Sequence, residues 1–260
     1  MILSHIVYWG QPMSLVNKVC IITGSSRGIG KGIATAFAKE GANIVINFRS
    51  QEDAAKETAE EIVEKYDAEV EIVKADVSKE EQVVEIVERT RKRFGTVDIL
   101  VNNAGVHKDS VVWKMDVNDW EEVVSTNLTG IFLCTKHVVP IMREKSWGRI
   151  VNISSVVGQI GLFGAGNYSA SKSGLFGFTK TVAREVANRN ITVNCVVFGY
   201  IDAGMNLRLS EEIQNKVMQD IPMRRFGKVE EVAGPIVFLC TNEAAYITGQ
   251  IIHINGGYYM

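Results

Sequence analysis

Tyr168 and Lys172 stand four residues apart, and Ser155 precedes the tyrosine by thirteen. On a helix, positions i and i+4 share a face, so the phenol and the ammonium can point into one site. A free tyrosine has a pKa of about 10, too high to exchange protons readily near neutrality. A neighbouring ammonium favours the phenolate, and lowering the phenol to neutrality corresponds to about 4 kcal/mol of differential stabilisation. Ser155 adds a hydroxyl able to hydrogen-bond a substrate oxygen. Taken singly, such a tyrosine, lysine and serine are usually packing, a solvated end and a loop cap. Together they describe a proton-transfer site.

A second stretch, Thr23-Gly24-Ser25-Ser26-Arg27-Gly28-Ile29-Gly30, ends 138 residues before Tyr168. Its glycine spacing is G-x-x-x-G-x-G rather than G-x-G-x-x-G, and a glycine-rich turn alone is a weak signal. Its context is stronger, because it follows an apolar β-rich run and opens a helical one. Glycine there allows positive φ and close approach of backbone to a pyrophosphate, whose charge meets the helix N-terminus. The run after it, Ile44-Val45-Ile46-Asn47-Phe48-Arg49-Ser50, ends without an acid and with an arginine. An acid there would accept hydrogen bonds from the adenosine ribose of NAD. Arg49 and Arg27 instead predict charge-assisted contacts to a 2′-phosphate, hence NADPH (NADP) in preference to NAD.

These residues need a frame. Lys18–Thr23, Asn43–Asn47, Val70–Lys74, Ile99–Asn102, Arg149–Ile153, Thr192–Val197 and Ile251–Ile254 read as strands, apolar enough to be covered on both faces. Lys31–Glu40, Asp53–Tyr66, Lys79–Phe94, Val117–Glu144, Tyr168–Asn188 and Glu230–Cys240 read as helices between them. Gly41 and Gly95 follow helix ends, and Ser78 with Glu81 offers a capping box. The alternation predicts an α/β fold, a doubly wound parallel sheet of about seven strands with helices on both faces. Residues 13–260 read as one domain, without linker or repeat. The segment near 199–227 interrupts the alternation and is expected to act as a lid. Residues 1–12 read as an N-terminal extension without a basic n-region or a cleavage site, so no signal peptide is expected.

Bulk composition fits this frame. The 260 residues carry 22% charged and 46% apolar side chains with a formal net charge of -2, which gives no argument for nucleic acid or an anionic membrane. No apolar run reaches the roughly 18 residues that span a bilayer. Cys20, Cys134, Cys195 and Cys240 lie singly in apolar stretches, so buried reduced thiols in a cytoplasmic protein are expected, and no metal site.

After Met13 the chain resembles the short-chain dehydrogenase/reductase family. The matching stretches are Thr23–Gly30, Asn102-Asn103-Ala104-Gly105, Asn127 within Thr126-Asn127-Leu128-Thr129-Gly130, Ser155, and Tyr168-Ser169-Ala170-Ser171-Lys172. The resemblance implies a Rossmann-like oxidoreductase with Tyr168 as general acid and Ser155 orienting the carbonyl oxygen. Lys172 would lower the tyrosine pKa and hold the nicotinamide ribose, and Asn127 would support a water chain. By the same resemblance the cofactor would contact Gly24, Ser26, Arg27, Gly28, Ile29 and Gly30 at the turn and Arg49 after the second strand. Asp76 and Val77 would meet the adenine, Asn103, Ala104 and Gly105 the ribose side, and Gly199 and Ile201 would lie beside it after the sixth strand.

Within the family the chain is most similar to the 3-oxoacyl-(acyl-carrier-protein) reductases, through Tyr246-Ile247-Thr248-Gly249-Gln250, Asn255-Gly256-Gly257 and Pro222-Met223-Arg224-Arg225-Phe226-Gly227. That implies an acyl thioester substrate on a carrier protein or coenzyme A, and a homotetramer. A dehydrogenase or reductase of another secondary alcohol, sugar, steroid or small ketone is the alternative. An acidic carrier would need a basic landing patch beside the cleft. Arg189 matches one such position, Ser146 stands at a second, and Arg143, Lys145 and Arg149 are expected to keep that edge basic. The chain departs from the family's Pro-Gly and threonine after the sixth strand, with Phe198 and Ala203 in their places.

Overall fold

The computed structural model describes residues 15–204 and 210–260. The extension expected over residues 1–12 lies outside them. Seven strands form one parallel sheet: β1 (Val19–Ile22), β2 (Asn43–Phe48), β3 (Val70–Lys74), β4 (Ile99–Asn102), β5 (Gly148–Ser155), β6 (Ile191–Phe198) and β7 (Ile251–Ile254). Their order is β3-β2-β1-β4-β5-β6-β7. The chain therefore winds outward from β1 in one direction and from β4 in the other. The crevice at the carboxyl ends of β1 and β4 is where such sheets hold ligands.

Alternation along each strand assigns the faces. Cys20 and Ile22 of β1 join Ile44 and Ile46 of β2 on one side, covered by α1 (Gly28–Lys39), α2 (Glu52–Tyr66) and α9 (Val229–Leu239). Val19, Ile21 and Val45 face the other side, covered by α3 (Glu80–Phe94), α5 (Gly130–Lys145) and α7 (Gly166–Val186). Burial on both faces is why these strands carry continuous apolar runs. Gly95 ends α3 at φ 78°, donating its N–H to the Arg91 carbonyl at 2.8 Å. A left-handed residue costs little only where there is no β-carbon.

The structure departs from the sequence expectation at four places. The helix expected over Val117–Glu144 is α4 (Val117–Val124), a π-helical turn (Ser125–Thr129) and α5 in series. The π turn bonds i to i+5 and shifts the phase of everything after it, which a period-3.6 reading cannot register. The capping box of Ser78 and Glu81 is absent. Gln82 Oε1 instead accepts the Asp76 N–H at 2.7 Å, while Asp76 Oδ1 accepts from Ser78 N–H and Oγ at 2.9 and 2.8 Å. Two helices were not read: the single turn α6 (Val157–Ile160), and α8 (Glu211–Asp220), capped by Ser210 Oγ within the segment expected as a lid.

Candidate active site

The glycine turn leaves β1 and enters α1 under tight restraint. Ser25 N–H donates to Asn47 O at 3.0 Å, and Gly24 N–H to Asn47 Oδ1 at 3.2 Å. From β4, Asn103 Nδ2 donates to the Thr23 and Gly24 carbonyls at 2.9 and 3.0 Å. Two of the three glycines are sterically required. A β-carbon on Gly24, at φ +64°, would sit 2.9 Å from Ala104 Cα. On Gly30 it would collide with the Gly24 carbonyl oxygen and lie 2.8 Å from Ser25 Cα. The space before Gly28 (φ +59°) is open, its nearest neighbour being Gly204 Cα at 3.7 Å from an added β-carbon. Backbone at the positive end of α1, no acid in its first turn, and open space before Gly28 fit a dinucleotide pyrophosphate. Gly30→Ala is expected to destabilise the protein by about 1–3 kcal/mol, since the turn's backbone must move. A denaturant midpoint within error of the parent's, with unaltered dinucleotide binding, would contradict this.

No acid stands in β2 or directly after it, where Arg49 follows Phe48. Asn47 is buried and spends its amide on the Val73 and Ala75 carbonyls at 3.3 and 3.0 Å. Arg27 and Arg49 are exposed, and Arg49 Nη1 lies 3.4 Å from Glu122 Oε1. Ser26 is buried with its carbonyl accepting from Thr58 Oγ1, and Ile29 packs half-buried against the core. Val77 is buried beneath Gly130, so Asp76 and Val77 form a fixed wall. Gly199 and Ile201 follow the end of β6. An added β-carbon on Gly199 would lie 2.8 Å from Asn255 Cα, and Ile201 is in the core. Phe198 is buried at the end of β6, its carbonyl accepting the Val156 N–H at 2.7 Å, and buried Ala203 has no side-chain donor.

Ser155, Tyr168, Lys172 and Asn127 converge beside β4. Ser155 is the last residue of β5, and Tyr168 and Lys172 lie one turn apart on α7. Tyr168 is half-buried, and the Ser155 hydroxyl acts on its phenol, favouring the ionised form. Lys172 is buried; its Nζ donates to Ile153 O at 2.8 Å and lies 5.7 Å from the Tyr168 ring centre. Asn127, in the π turn, accepts the Val106 N–H on Oδ1 and donates from Nδ2 to Val106 O, both at 2.8 Å, and to Ser171 Oγ at 3.2 Å. An added β-carbon on Gly105 would lie 3.3 Å from Asn127 Oδ1 and 3.6 Å from Lys172 Nζ. π turns recur at such sites because they turn a side chain out of the regular helical phase.

The electrostatics differ from the expectation. Burial pushes the Tyr168 phenol up to about 12; the Ser155 hydrogen bond opposes that and the Asp109 charge adds to it. Burial also lowers Lys172 to about 8. The lysine therefore does not depress the phenol here. Its proton donor is directed at Ile153 O, and its charge sits over the ring rather than at the hydroxyl.

One site residue escaped the sequence reading. Asn167 is fully buried, its Oδ1 accepting the Tyr168 N–H at 2.7 Å while Nδ2 donates to Lys108 O and Asp119 O at 3.0 and 3.3 Å. It satisfies one of the unpaired amides of the first turn of α7 and ties that turn to the loop after β4. Its place directly before Tyr168 was the only available signal. The two loops also meet where Ser110 N–H donates to Gly164 O at 2.8 Å. Val112, Trp113, Leu162 and Phe163 on those loops are exposed, giving this side an apolar rim.

The basic edge is a correction. Arg149 is fully buried, donating to Gly148 O and Asn190 O at 2.8 and 3.0 Å. Lys145 pairs with buried Asp98 at 2.6 Å. Gly148 and Ile191 begin their strands, so this cluster lies at the sheet edge opposite Ser155. Arg189 is separated from Tyr168 by the length of α7, about 30 Å. In a parallel sheet the strand starts and strand ends occupy opposite edges, so these groups do not flank the cleft of their own chain. A separate cavity of about 550 Å³ opens beside Tyr200, Met223 and His253, and none of the four converging residues lines it.

A family model described as Enoyl-(Acyl carrier protein) reductase matches residues 24–259. The 3-oxoacyl-(acyl-carrier-protein) reductase FabG of Aquifex aeolicus is 47% identical over 247 residues, 95% of this chain and 99% of that protein. The enzyme of that name from Staphylococcus epidermidis is 43% identical over 245 residues, 94% of this chain and all of its own. A solved structure described as that of a short-chain alcohol dehydrogenase from Sinorhizobium meliloti superposes with a TM-score of 0.90 at 38% identity, covering 95% of this chain and 98% of the other.

Proposed function

The chain belongs to the short-chain dehydrogenase/reductase family of oxidoreductases, and from that we propose that it reduces 3-oxoacyl thioesters to 3-hydroxyacyl products with NADPH. When bound, the nicotinamide cofactor supplies the hydride that the substrate's carbonyl carbon accepts. Gly24, Gly28, Gly30 and the start of α1 hold its pyrophosphate, and Arg27 and Arg49 its 2′-phosphate. Tyr168 donates its proton to the carbonyl oxygen, and Ser155 offers that oxygen a second hydroxyl. Lys172 holds a proton beside them, and Asn127 fixes the Val106 turn against α7.

The observation that carries this reading is the convergence of Tyr168 and Lys172, one turn apart on α7, with Ser155 at the end of β5, Lys172 Nζ lying 5.7 Å from the Tyr168 ring centre. The names of the relatives and the exposed apolar rim of Val112, Trp113, Leu162 and Phe163 support an acyl substrate. With the basic cluster at the far edge of the sheet, coenzyme A serves as well as a carrier protein for the test.

A second reading, reduction of the carbon–carbon double bond of an enoyl thioester, is favoured by the description of the matching family model. A serine hydroxyl and a tyrosine phenol, both able to donate to an oxygen, suit a carbonyl better. NADPH consumption should be followed with acetoacetyl-CoA, with crotonyl-CoA, and with NADH in place of NADPH. Turnover of acetoacetyl-CoA with NADPH well above NADH is expected. Turnover of crotonyl-CoA alone would establish the enoyl reading, and turnover of neither would shift the substrate to another ketone or secondary alcohol.

The working form we propose is one catalytic domain over residues 13–260, the segment near 199–227 acting as its lid, assembled as a cytoplasmic homotetramer. Four buried, unpaired cysteines support a reducing compartment. Among the described residues no helix is long and apolar enough to cross a membrane. Tyr258 and Tyr259 pack within their own chain, against Tyr200 and His253, while Met260 is exposed.

A further inference from the structure

We propose that Glu122 sets how strongly this chain discriminates a 2′-phosphorylated dinucleotide from an unphosphorylated one, by competing with that phosphate for Arg49. The inference deepens the NADPH reading and rests on it.

Arg49 follows the last residue of β2, and its guanidinium reaches across the crevice to α4, Nη1 lying 3.4 Å from Glu122 Oε1. The other carboxylate oxygen of Glu122 lies 2.8 Å from Lys108 Nζ, which also pairs with Asp119 Oδ1 at 2.7 Å. The result is a chain of alternating charge: Arg49, Glu122, Lys108, Asp119. Its two ends differ in strength. Glu122 is held below the usual carboxylate range first by Lys108 and only then by Arg49. The Arg49 contact is long and both partners are partly exposed, with about half of the arginine side chain open to solvent. It is therefore the link that breaks when a better anion arrives.

A 2′-phosphate is such an anion, offering short, charge-assisted and bidentate bonds that a carboxylate at 3.4 Å does not. Because Lys108 keeps its grip on Glu122, moving Arg49 to the phosphate does not strand a carboxylate. Glu122 still opposes the move twice, by its attraction for the guanidinium and by its repulsion of the incoming dianion. An unphosphorylated ribose disturbs neither interaction. Glu122 thus lowers affinity for the phosphorylated dinucleotide alone, and Lys108 moderates that opposition by neutralising it.

Calorimetric dissociation constants for NADP⁺, NAD⁺ and adenosine 2′-monophosphate test this without turnover. Exposed pairs of this kind correspond to about two- to fivefold in an equilibrium. Glu122→Gln should tighten NADP⁺ and adenosine 2′-monophosphate by about that factor and leave NAD⁺ unchanged. Lys108→Gln should weaken the two phosphorylated ligands while Glu122 is present, and have no effect in the Glu122→Gln background. An unchanged or reduced preference for NADP⁺ in Glu122→Gln overturns the competition, because Glu122 would then orient Arg49 rather than withhold it. Arg49→Ala separates the two readings. Loss of the preference for NADP⁺ keeps the underlying NADPH reading whatever Glu122 does, and an unchanged preference removes both.

Discussion

Tyr168→Phe is expected to lower kcat for acetoacetyl-CoA reduction by about 10²–10⁴, the usual worth of a positioned proton donor. The change removes one oxygen and keeps the ring, which packs against the cluster containing Val156, Val157 and Leu175. Melting temperature and dinucleotide affinity should therefore stay close to the parent's, since neither depends on the hydroxyl. The loss should appear in kcat and kcat/KM alike, as for a contact made with developing charge. A variant that keeps its rate would mean that another group donates the proton, and Ser155, the other hydroxyl of the site, would be the first to test.

The second large effect concerns Lys172 and carries a distinctive sign. With its pKa lowered to about 8 by burial, the ammonium is present below that pH and lost above it. Tyr168 stays protonated until about 12, so it does not explain a decline beginning earlier. The kcat/KM of reduction, which reports groups of the free enzyme, should fall as pH rises through about 8. Lys172→Met should cost about 10² or more at neutral pH and abolish that limb. Lys172→Arg should preserve a charge and move the limb upward. Stability moves the other way. Between about 8 and the ordinary lysine value near 10.4, the unfolded chain binds more protons than the folded one, so this residue makes unfolding less favourable as pH rises. Activity falling while this contribution to stability grows would separate loss of the ammonium from denaturation. A flat rate profile from pH 7 to pH 9.5 would contradict the assignment.

Much of this arrangement could be read from the chain, for physical reasons. Parallel strands buried on both faces are largely apolar, so β1, β2, β4, β5 and β6 announced themselves, and the half-buried outer strands β3 and β7 still carry apolar runs. The glycines at 24 and 30 are fixed by collisions that any side chain would cause. The pairing of Tyr168 with Lys172 follows from helical periodicity alone. What stayed hidden depends on depth or on distant partners. Arg149 is an arginine like any other until the sheet edge closes over it, and Arg189 is near the site in sequence motif only. The π turn holding Asn127 changes the helical phase without a compositional mark. Burial, not the neighbouring charge, decides the Tyr168 and Lys172 equilibria, and burial at a single residue belongs to the whole fold. Asn167 and Glu122 looked like ordinary polar residues at a helix start and on a helix face. Asn167 donates to carbonyls 48 and 59 residues away, and Glu122 reaches Arg49 at a separation of 73.

The crevice between β1 and β4 also has a temporal meaning. The strands meeting there are about 80 residues apart in sequence; Val19 N–H donates to Asp98 Oδ2 and Asn103 N–H to Thr23 Oγ1 across that interval. Bringing such distant segments together carries a loop-closure cost that local βαβ pairing does not, and non-local pairings form late. During synthesis, β1 to β3 can dock on one another as they emerge, but the glycine turn proposed to hold phosphate stays unbraced until Asn103 has been made. The proton-transfer residues follow only with α7, well past the middle of the chain. A chain that stops before Asn103 lacks the brace of that turn, and one that stops before α7 lacks Tyr168 and Lys172, so the two capacities appear in turn as synthesis proceeds.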